Sequence, residues 1–360
     1  MHPFRNLLLI SVGKATSFEK NPSPQEWERL YVMAHQQSMV GILNGAVHHI
    51  PQDQQPSEEL LRKWDENTAK ISRIYHVHEQ HVLELEELLA RLGLHGCILK
   101  GTGLAHLYPN PELRMCGDID IWIAGDRDDV IRAFEDAEIP IYDILYQESK
   151  AGVFLDTEVE VHFHPSKMYN PFSNARLQRF FEKNSPIRDD VTITYPDARF
   201  NAVFCMAHMF RHYLEGGIGM RQMLDYYYVL RNLAPADREP VMRTLKRLGM
   251  GRFTASIMTS MWYNFGLEQE YLLCPPDMKH GKKLVNDIIA MGNFGVLDKR
   301  NYTPEGETPW AKFLRKNRRV FSNLRYYPRE IIWSPFARVS QFVWRKFKGY
   351  LSVPRRPSRS

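Results

Sequence analysis

Cysteine and long apolar runs are both scarce in this sequence, and each shortage excludes a class of protein. The 360 residues include four cysteines, Cys97, Cys116, Cys205 and Cys274, and no CxxC pair. This spacing argues against a disulfide-stapled secreted fold and against a cysteine zinc site. No uninterrupted apolar stretch approaches the roughly 20 residues that cross a bilayer, and no signal-peptide cleavage site follows the short apolar run at 7–10. We therefore expect a cytoplasmic protein without a membrane span.

A strong excess of one charge is also lacking. The chain has 47 basic and 42 acidic residues, which give a formal net charge of +5. This balance would not repel a polyanion, but it makes a long nucleic acid the less expected partner. The content of 44% hydrophobic and 25% charged residues is that of an ordinary globular protein, and the length suffices for two domains or one elaborated domain.

Several familiar catalytic loops are missing as well. Gly101 and Gly103 form a G-x-G pair that lacks the remaining glycine of the dinucleotide-binding pattern. The sequence has no Walker loop in the required context and no G-x-S-x-G elbow of a serine hydrolase. A function must therefore come from other groups.

The hydrophobic pattern predicts an α+β fold, with a small mixed sheet flanked by N-terminal and C-terminal helical regions. We expect a helical region at 1–94, an α/β core at 95–195, a second helical region at 196–350 and a disordered basic tail at 351–360. The N-terminal region is expected to contain one helix at 25–50 and a long second helix that runs from near Ser57 to Gly93.

Within the core, short apolar runs and alternating runs predict strands, and one helix is expected among them at 126–138. The expected strands are 97–99, 118–123, 141–146, 152–155 and 158–164.

The sharpest local feature is Gly117-Asp118-Ile119-Asp120-Ile121. Alternation along a strand points both aspartates to the same face, where each can offer oxygen to a hard cation. A magnesium pair would remove the repulsion between them, and phosphoryl or nucleotidyl transfer is the chemistry that most needs such a pair. A D-x-D pair occurs often by chance, and taken alone it favours a solvated strand end over a metal site.

Two further features accompany the aspartates. Upstream, a buried strand enters the small-residue turn Lys100-Gly101-Thr102, where backbone amides and a hydroxyl can approach a triphosphate and Lys100 adds a positive charge. A plain glycine turn that needs positive φ would explain this segment as well.

Downstream, the strand at 158–164 places Glu160 and His162 on one face, and an adjacent antiparallel strand would bring Glu160 beside the aspartates. An ordinary solvent-facing sheet surface is the alternative.

Together these motifs resemble the nucleotidyltransferase superfamily of the DNA polymerase beta type, and more closely an uncharacterised bacterial nucleotidyltransferase family. The residues that carry the resemblance are Leu99-Lys100-Gly101, Leu104-Ala105, Tyr108-Pro109-Asn110-Pro111, Arg114, Gly117 to Asp120, Glu160-Val161-His162, His208 to His212, Gly216 to Gly219, Arg221-Gln222, Asp225 and Asn293-Phe294-Gly295. The sequence departs from the superfamily pattern at Thr102, where Gly or Ser is usual, and in a longer spacer at 104–114.

The resemblance implies a two-metal enzyme that transfers a nucleoside monophosphate from a nucleoside triphosphate to an acceptor hydroxyl. Asp118, Asp120 and Glu160 would be the catalytic residues and the ligands of Mg²⁺ or Mn²⁺. The residues expected to contact the nucleotide are Lys100, Gly101, Thr102, Arg114, His162, His208, His212 and Arg221.

The acceptor is expected to be a small molecule, peptide or protein. Two other functions remain open at this point: a catalytically inactive module that senses nucleotides or binds a partner, and a metal-dependent phosphohydrolase that uses water as acceptor.

Three other patterns have plainer interpretations. His208 and His212 have zinc-ligand spacing but lack the glutamate of a metalloprotease motif, which favours a pair buried in the core or behind the site over a zinc site. The spacing of His76, His78 and His81 favours a solvated helix face. Basic and aromatic residues alternate at 342–350, which fits a membrane-surface or nucleic-acid helix, but we favour a packing helix whose cationic side chains reach solvent.

Overall fold

The computed structural model describes residues 2–304, 306–350 and 353. Except for Val353, the basic tail predicted for 351–360 lies outside these residues. The chain is mostly helical, with one six-stranded mixed sheet in its middle region. This confirms the predicted α+β class. No helix in the described part of the chain has both the length and the apolar character needed to cross a membrane.

Four helices precede the sheet: α1 Pro3–Ser11, α2 Pro24–Gln36, α3 Val40–Val47 and α4 Glu58–Leu92. The long helix is confirmed, because the Ser57 hydroxyl accepts the Leu60 N–H at its start and Gly93 ends it in a left-handed conformation with φ +66°. The single helix predicted at 25–50 is wrong. Ser38 has a left-handed φ of +55°, which breaks that segment into α2 and α3.

The sheet has the order β3-β4-β5-β2-β1-β6. Its strands are β1 Gly96–Ile98, β2 Ile119–Ile123, β3 Ile141–Tyr142, β4 Glu148–Ala151, β5 Val159–His162 and β6 Ile193–Thr194. Three α-helices lie along this segment: the short α5 Thr102–Ala105 after β1, α6 Arg127–Asp136 after β2 and α7 Pro171–Lys183 after β5. The sheet therefore lies between residues 96 and 194, while the predicted domain boundaries stay predictions.

Two sequence-based expectations about the strands are wrong. The strand predicted at 152–155 does not form; β4 lies earlier and pairs antiparallel with β5. The neighbour that brings Glu160 beside the aspartates, β2, pairs with β5 in parallel rather than antiparallel. The reason is topological: α6 and the β3–β4 pair lie between them in the chain and return it to the same end of the sheet.

The remaining helices form the C-terminal part of the described chain. They are α8 Ala198–Glu215, α9 Met220–Asn232, α10 Pro235–Arg247, α11 Gly251–Phe265, α12 Met278–Met291, α13 Pro309–Phe321, α14 Pro328–Ile331 and α15 Ser334–Phe347. Helix α8 is buried along most of its length and lies at the centre of the largest apolar core, which also includes side chains from α1 to α3.

The two faces of the sheet pack against different partners. Ile119, Ile121 and Val161 belong to a smaller core with the end of α4 and with α6. Side chains on the opposite face point toward the main helical body, where the Trp122 ring stacks on Phe200 of α8 at 6.1 Å. The polar positions that alternate with the isoleucines consequently face α8 and α9.

Candidate active site

The carboxylates predicted to bind metal converge on the sheet face that looks toward α8. Asp120 in β2 is the register partner of Glu160 in β5, and Asp118 comes directly before β2. Carboxylate oxygens of Asp118, Glu158 and Glu160 lie within 4.8 Å of one another. Ligand atoms of Asp120, Glu160 and His162 do so as well. Parallel pairing in this register thus joins residues separated by 40 positions in the chain.

Asp120 is held by two cationic groups. The Lys100 ammonium lies 2.7 Å from its Oδ1 and the His162 Nε2 lies 2.8 Å from the same atom. Burial by itself raises the pKa of Asp120, but Lys100 and His162 outweigh burial and hold that pKa well below its usual range. Burial lowers the pKa of His162, whereas its bonds to Asp120 and Glu160 raise it to about 9. Asp120 is therefore ionised and fixed in orientation.

The pKa of Asp118 shifts in the opposite direction from that of Asp120. The negative charge of Asp120 and burial raise the pKa of Asp118 to about 7. Like-charge repulsion therefore remains in the metal-free cluster even with Lys100 beside it. An all-oxygen donor set of this kind fits Mg²⁺ or Mn²⁺, which prefer carboxylate ligands, and a bound cation would relieve the repulsion at Asp118.

The turn after β1 depends on Gly101. Its φ of +59° and ψ of −119° are unfavourable for residues with a side chain, and an added Cβ would meet the Asp118 carbonyl oxygen at 3.0 Å. Gly101 therefore allows the turn to pass close to the aspartate strand. Thr102, predicted to face phosphate, is 2% exposed, and its hydroxyl has no hydrogen-bond partner among the described residues.

The carboxylates open into a cavity of about 320 Å³ between the sheet and the helices. Of the residues predicted to bind metal or nucleotide, those that line it are Lys100, Gly101, Arg114, Asp118, Asp120, Glu160, His208, His212 and Arg221. Thr102 and His162 are absent from the lining; His162 instead contacts Asp120. The structure thus brings the predicted metal ligands and most of the predicted nucleotide contacts into one space.

The two histidines of α8 are uncharged in this space. Their ring centroids lie 4.2 Å apart. Burial and the neighbouring Arg211 lower the pKa of His212 to about 3, and burial with the Lys100 charge lowers that of His208 well below its ordinary value. Both rings can therefore exchange hydrogen bonds at neutral pH without adding positive charge.

Arginine side chains form part of the cavity wall contributed by α8 and α9. Arg211 and Arg221 both line the cavity, and the Nε atom of each is buried without a hydrogen-bond partner among the described residues. The Nη1 atom of Arg221 donates to the Met115 carbonyl at 2.6 Å. Buried guanidinium groups with unused donors are suited to an anionic ligand.

Arg114 is engaged elsewhere. Its Nε and Nη2 atoms donate to the two carboxylate oxygens of Asp225 at 2.8 and 2.9 Å, and the Tyr108 hydroxyl donates to the same carboxylate at 2.6 Å. Arg114 and Asp225 are both almost fully buried. Arg114 thus lines the cavity while its charge is paired within the protein, and its contact with a nucleotide stays a prediction.

The cavity also contains residues that sequence reasoning missed. Glu148 lies in β4 opposite His162, and its Oε2 is 3.9 Å from Nη1 of Arg211. Glu215 at the end of α8 lines the cavity too. The alternation of buried Ser149 and Ala151 in β4 was the available signal for Glu148, but small residues give a weak strand pattern.

Phe294 occupies the cavity wall in an unusual backbone conformation. Its φ of +52° is left-handed, and its side chain is 43% exposed. The ring lies 5.3 Å from that of His212 and 5.9 Å from the guanidinium carbon of Arg221. Left-handed conformations are rare for bulky residues and persist when the surroundings hold them.

Tight glycine contacts hold the Phe294 loop. An added Cβ on Gly295 would lie 1.9 Å from the Gly216 carbonyl oxygen, and one on Gly219 would lie 2.8 Å from the Asn293 side chain. The Asn301 amide donates to the carbonyls of both Gly216 and Gly295. The loops 216–219 and 293–295 are therefore fitted together without spare volume.

The histidine group of α4 lies away from this cavity. The prediction of a solvated face is wrong for His78, which is 3% exposed, and for His81, whose ring stacks on Phe154 at 3.9 Å. His76 is exposed as predicted.

Comparison with protein families supports the motifs found in the sequence. A family model described as uncharacterised nucleotidyltransferase matches residues 23–263, well over half of the chain. The matched region contains the three carboxylates and both cavity-lining helices α8 and α9. No curated protein and no solved structure matches the chain.

Proposed function

Because the chain belongs to this family of uncharacterised nucleotidyltransferases, we propose that it transfers a nucleoside monophosphate from a nucleoside triphosphate to an acceptor hydroxyl, with release of pyrophosphate. The observation that carries the proposal is the register of β2 and β5. It sets Asp120 opposite Glu160, with Asp118 beside them in a cavity large enough for a ligand.

Asp118, Asp120 and Glu160 would hold Mg²⁺ or Mn²⁺ in this reaction. When bound, divalent ions neutralise charge on the triphosphate and make its α-phosphorus more open to attack. The role of the protein itself is to bind, orient and move a proton.

Lys100 and His162 have a positioning role. Both contact the same oxygen of Asp120, so this carboxylate cannot rotate away from the cavity. Across the cavity, Arg211 and Arg221 offer buried donors that suit phosphate oxygens. The triphosphate would therefore lie between the sheet and the arginine wall.

The chemical step forms one bond and breaks one. The acceptor oxygen bonds to the α-phosphorus, and the bond from that phosphorus to the bridging oxygen of pyrophosphate breaks. Glu160 would help to remove the acceptor proton, because its side chain is 21% exposed whereas that of Asp120 is only 1% exposed. Of these two, Glu160 is thus the carboxylate that an acceptor can reach.

Phe294 would supply the stacking face for the nucleobase. Its ring is exposed in the same cavity, and the fitted glycine loop holds it there. Stacking of a base on an aromatic ring contributes about 1–3 kcal/mol and tolerates different bases. Phe294→Ser should therefore raise the KM for the nucleotide at least about fivefold, while Phe294→Tyr keeps it near the wild-type value.

Thermal melting tests the nucleotide and metal assignment. The wild type is compared with an Asp118→Asn, Asp120→Asn double variant in the presence of each nucleoside triphosphate, with and without Mg²⁺ or Mn²⁺. A ligand that binds the native state raises its melting temperature. We expect a metal-dependent rise in the wild type that is lost in the double variant and retained in the exposed control Asp189→Asn.

Product analysis separates the proposed reaction from its alternatives. A nucleotide labelled at the α-phosphate should pass its label to an acceptor and release pyrophosphate. Conversion to free monophosphate or inorganic phosphate with water alone would indicate a phosphohydrolase. A wild type whose melting temperature no nucleotide changes at saturation would contradict the proposal and favour an inactive module.

A further inference from the structure

The positive charge of the chain is concentrated at its C-terminal end. Residues 309–360 contain 14 basic residues and one acidic residue, whereas residues 1–308 contain 33 basic and 41 acidic residues. The small overall charge is thus the sum of a net negative charge on residues 1–308 and a net charge of +13 on residues 309–360. A charge asymmetry of this size is typical of a surface that meets a polyanionic partner.

Helix α15, within that segment, exposes an apolar stripe. Phe336, Val339, Val343 and Phe347 are spaced three or four residues apart, and their exposed fractions are 64, 50, 41 and 87%. Residues with this spacing share one side of a helix. The packing helix favoured from the sequence is therefore wrong for this side, which faces solvent. Trp344 is only partly exposed and packs against the sheet core.

Aromatic contacts extend the stripe beyond α15. The ring of Trp333 lies 5.9 Å from that of Phe336 and 6.3 Å from that of Phe172 at the start of α7. Phe172 is 66% exposed and Ile332 is 53% exposed. Monomeric soluble proteins rarely leave so many large apolar side chains together in water.

Cations accompany this apolar surface. Arg329 and Lys346 are exposed, and neither forms an ion pair with a carboxylate in the parts of the chain that the structure describes. The Arg329 carbonyl accepts a hydrogen bond from Asn170, which places this residue beside the start of α7. Lys346 follows Val339 and Val343 along the same side of α15.

We propose that this surface docks the protein on an anionic lipid bilayer. It is called the basic aromatic face and consists of Phe172, Arg329, Ile332, Trp333, Phe336, Val339, Val343, Lys346 and Phe347. Apolar side chains that enter the headgroup region, with cations that attract anionic lipid, are the combination that holds an amphipathic helix in the plane of a membrane.

Two other occupants fit the face less well. A nucleic acid would pair with the cations but would leave the Phe, Val and Ile side chains in contact with a charged backbone. A second copy of the chain would cover the apolar stripe, but it would bring together two segments of net charge +13. A bilayer with anionic headgroups satisfies both the charge and the apolar area.

Vesicle sedimentation with the full chain tests the proposal. The vesicles contain either equal parts phosphatidylglycerol and phosphatidylcholine or phosphatidylcholine alone, and binding is measured at low and high salt. We expect the protein to bind the anionic vesicles, and we expect high salt to weaken this binding.

Arg329→Gln with Lys346→Gln should lower the partition coefficient roughly 25-fold, because each cation near such a surface contributes a factor of about five. Phe336→Ser with Phe347→Ser should lower it at least about tenfold.

Matched controls alter exposed residues of the same type elsewhere. Leu83→Ser with Tyr302→Ser, and Lys70→Gln with Arg91→Gln, should bind vesicles as the wild type does. All of these variants replace exposed side chains, so circular dichroism should show unchanged folding.

Three results would overturn the proposal. The first is no binding, or equal binding to both vesicle types. The second is salt-sensitive retention on single-stranded RNA that the serine variant leaves unchanged, which would assign the cations to a nucleic acid. The third is a dimer in analytical ultracentrifugation that the serine variant dissociates, which would assign the apolar stripe to a second copy.

Discussion

Asp118 shows how strongly single charges interact in the metal-free site. It lies beside Asp120 in a buried cluster, and their repulsion with burial raises its pKa to about 7. Above that pH, the ionised Asp118 destabilises the folded state, and one unit of raised pKa corresponds to 1.36 kcal/mol. Asp118→Asn removes this charge and should therefore raise the free energy of unfolding in EDTA by more than about 1 kcal/mol. Chemical denaturation at pH 8 measures the difference.

The same variant should lose the stabilisation that Mg²⁺ gives the wild type, because a ligand of the cation is gone. Asp189→Asn, which changes an exposed carboxylate, is the control and should alter neither value. An Asp118→Asn variant less stable than the wild type in EDTA would show that another contact of Asp118 outweighs the repulsion.

Glu330 is a second buried carboxyl group, remote from the metal ligands in sequence. Burial raises its pKa from 4.5 to about 7, although the backbone N–H groups of Tyr169 and Asn170 both donate to it and oppose the rise. The folded chain therefore binds this proton more tightly than the unfolded chain does. The contribution of Glu330 to the free energy of unfolding accordingly falls as pH rises from about 4.5 to about 7, and is constant above.

Replacing Glu330 should remove this dependence. The free energy of unfolding of Glu330→Gln, relative to the wild type, should increase by up to about 3 kcal/mol between pH 5 and pH 8. Urea titrations at the two pH values measure it. Glu239→Gln, at an 80% exposed side chain, should show no such change, and a difference independent of pH at Glu330 would contradict the assignment.

At the scale of elements, two left-handed glycines differ in their surroundings. Gly93 ends α4 with φ +66° and open space around a would-be Cβ, whereas Gly295 has φ +69° and the Gly216 carbonyl oxygen 1.9 Å away. Gly93→Ala should lower the free energy of unfolding by about 1–2 kcal/mol from the conformational penalty alone. Gly295→Ala should lower it by at least twice as much, because its loop must also move.

Moving that loop displaces Phe294, so Gly295→Ala should also reduce the nucleotide-induced rise in melting temperature. Gly93→Ala serves as the matched control and should leave that rise intact. Equal losses of stability in the two variants would mean that the loop at 293–295 is not held by its contact with Gly216.

Elements that are set by interactions within one segment could be predicted from the sequence, whereas elements that depend on distant contacts could not. Helix α4 was predictable because its start at Ser57 and its end at Gly93 are set by hydrogen bonds and backbone angles within the helix. The break at Ser38 was not predictable, since the Ser38 hydroxyl takes a hydrogen bond from Asn293, 255 residues away. Strand β4 was misplaced because its small residues form a strand only through pairing with β5.

At the scale of the whole molecule, one buried ion pair joins the sheet region to the C-terminal helices. Arg114, which precedes β2, forms two hydrogen bonds with Asp225 of α9. Arg114→Met should lower the free energy of unfolding by about 3–5 kcal/mol, because it leaves a buried charge without a partner. Denaturant titration measures the loss.

A double-mutant cycle shows whether the loss comes from the unpaired charge. The Arg114→Met, Asp225→Leu variant should lose clearly less stability than the sum of the single variants. The exposed pair Arg62 and Glu66 is the control, and its cycle should give a coupling energy of at most about 0.5 kcal/mol. Additive losses at Arg114 and Asp225 would mean that the pair contributes through packing alone.

The sequence by itself determined the features that arise within one segment: the shared face of Asp118 and Asp120, the polar face that carries Glu160, and the glycine turn before them. Alternation and backbone angles are local properties, so no distant contact is needed to predict them. The tertiary structure alone decided that β2 and β5 pair in parallel and that Phe294 completes the cavity. Register and cavity walls depend on packing between segments far apart in the chain, and that packing leaves no periodic pattern in the residues it joins.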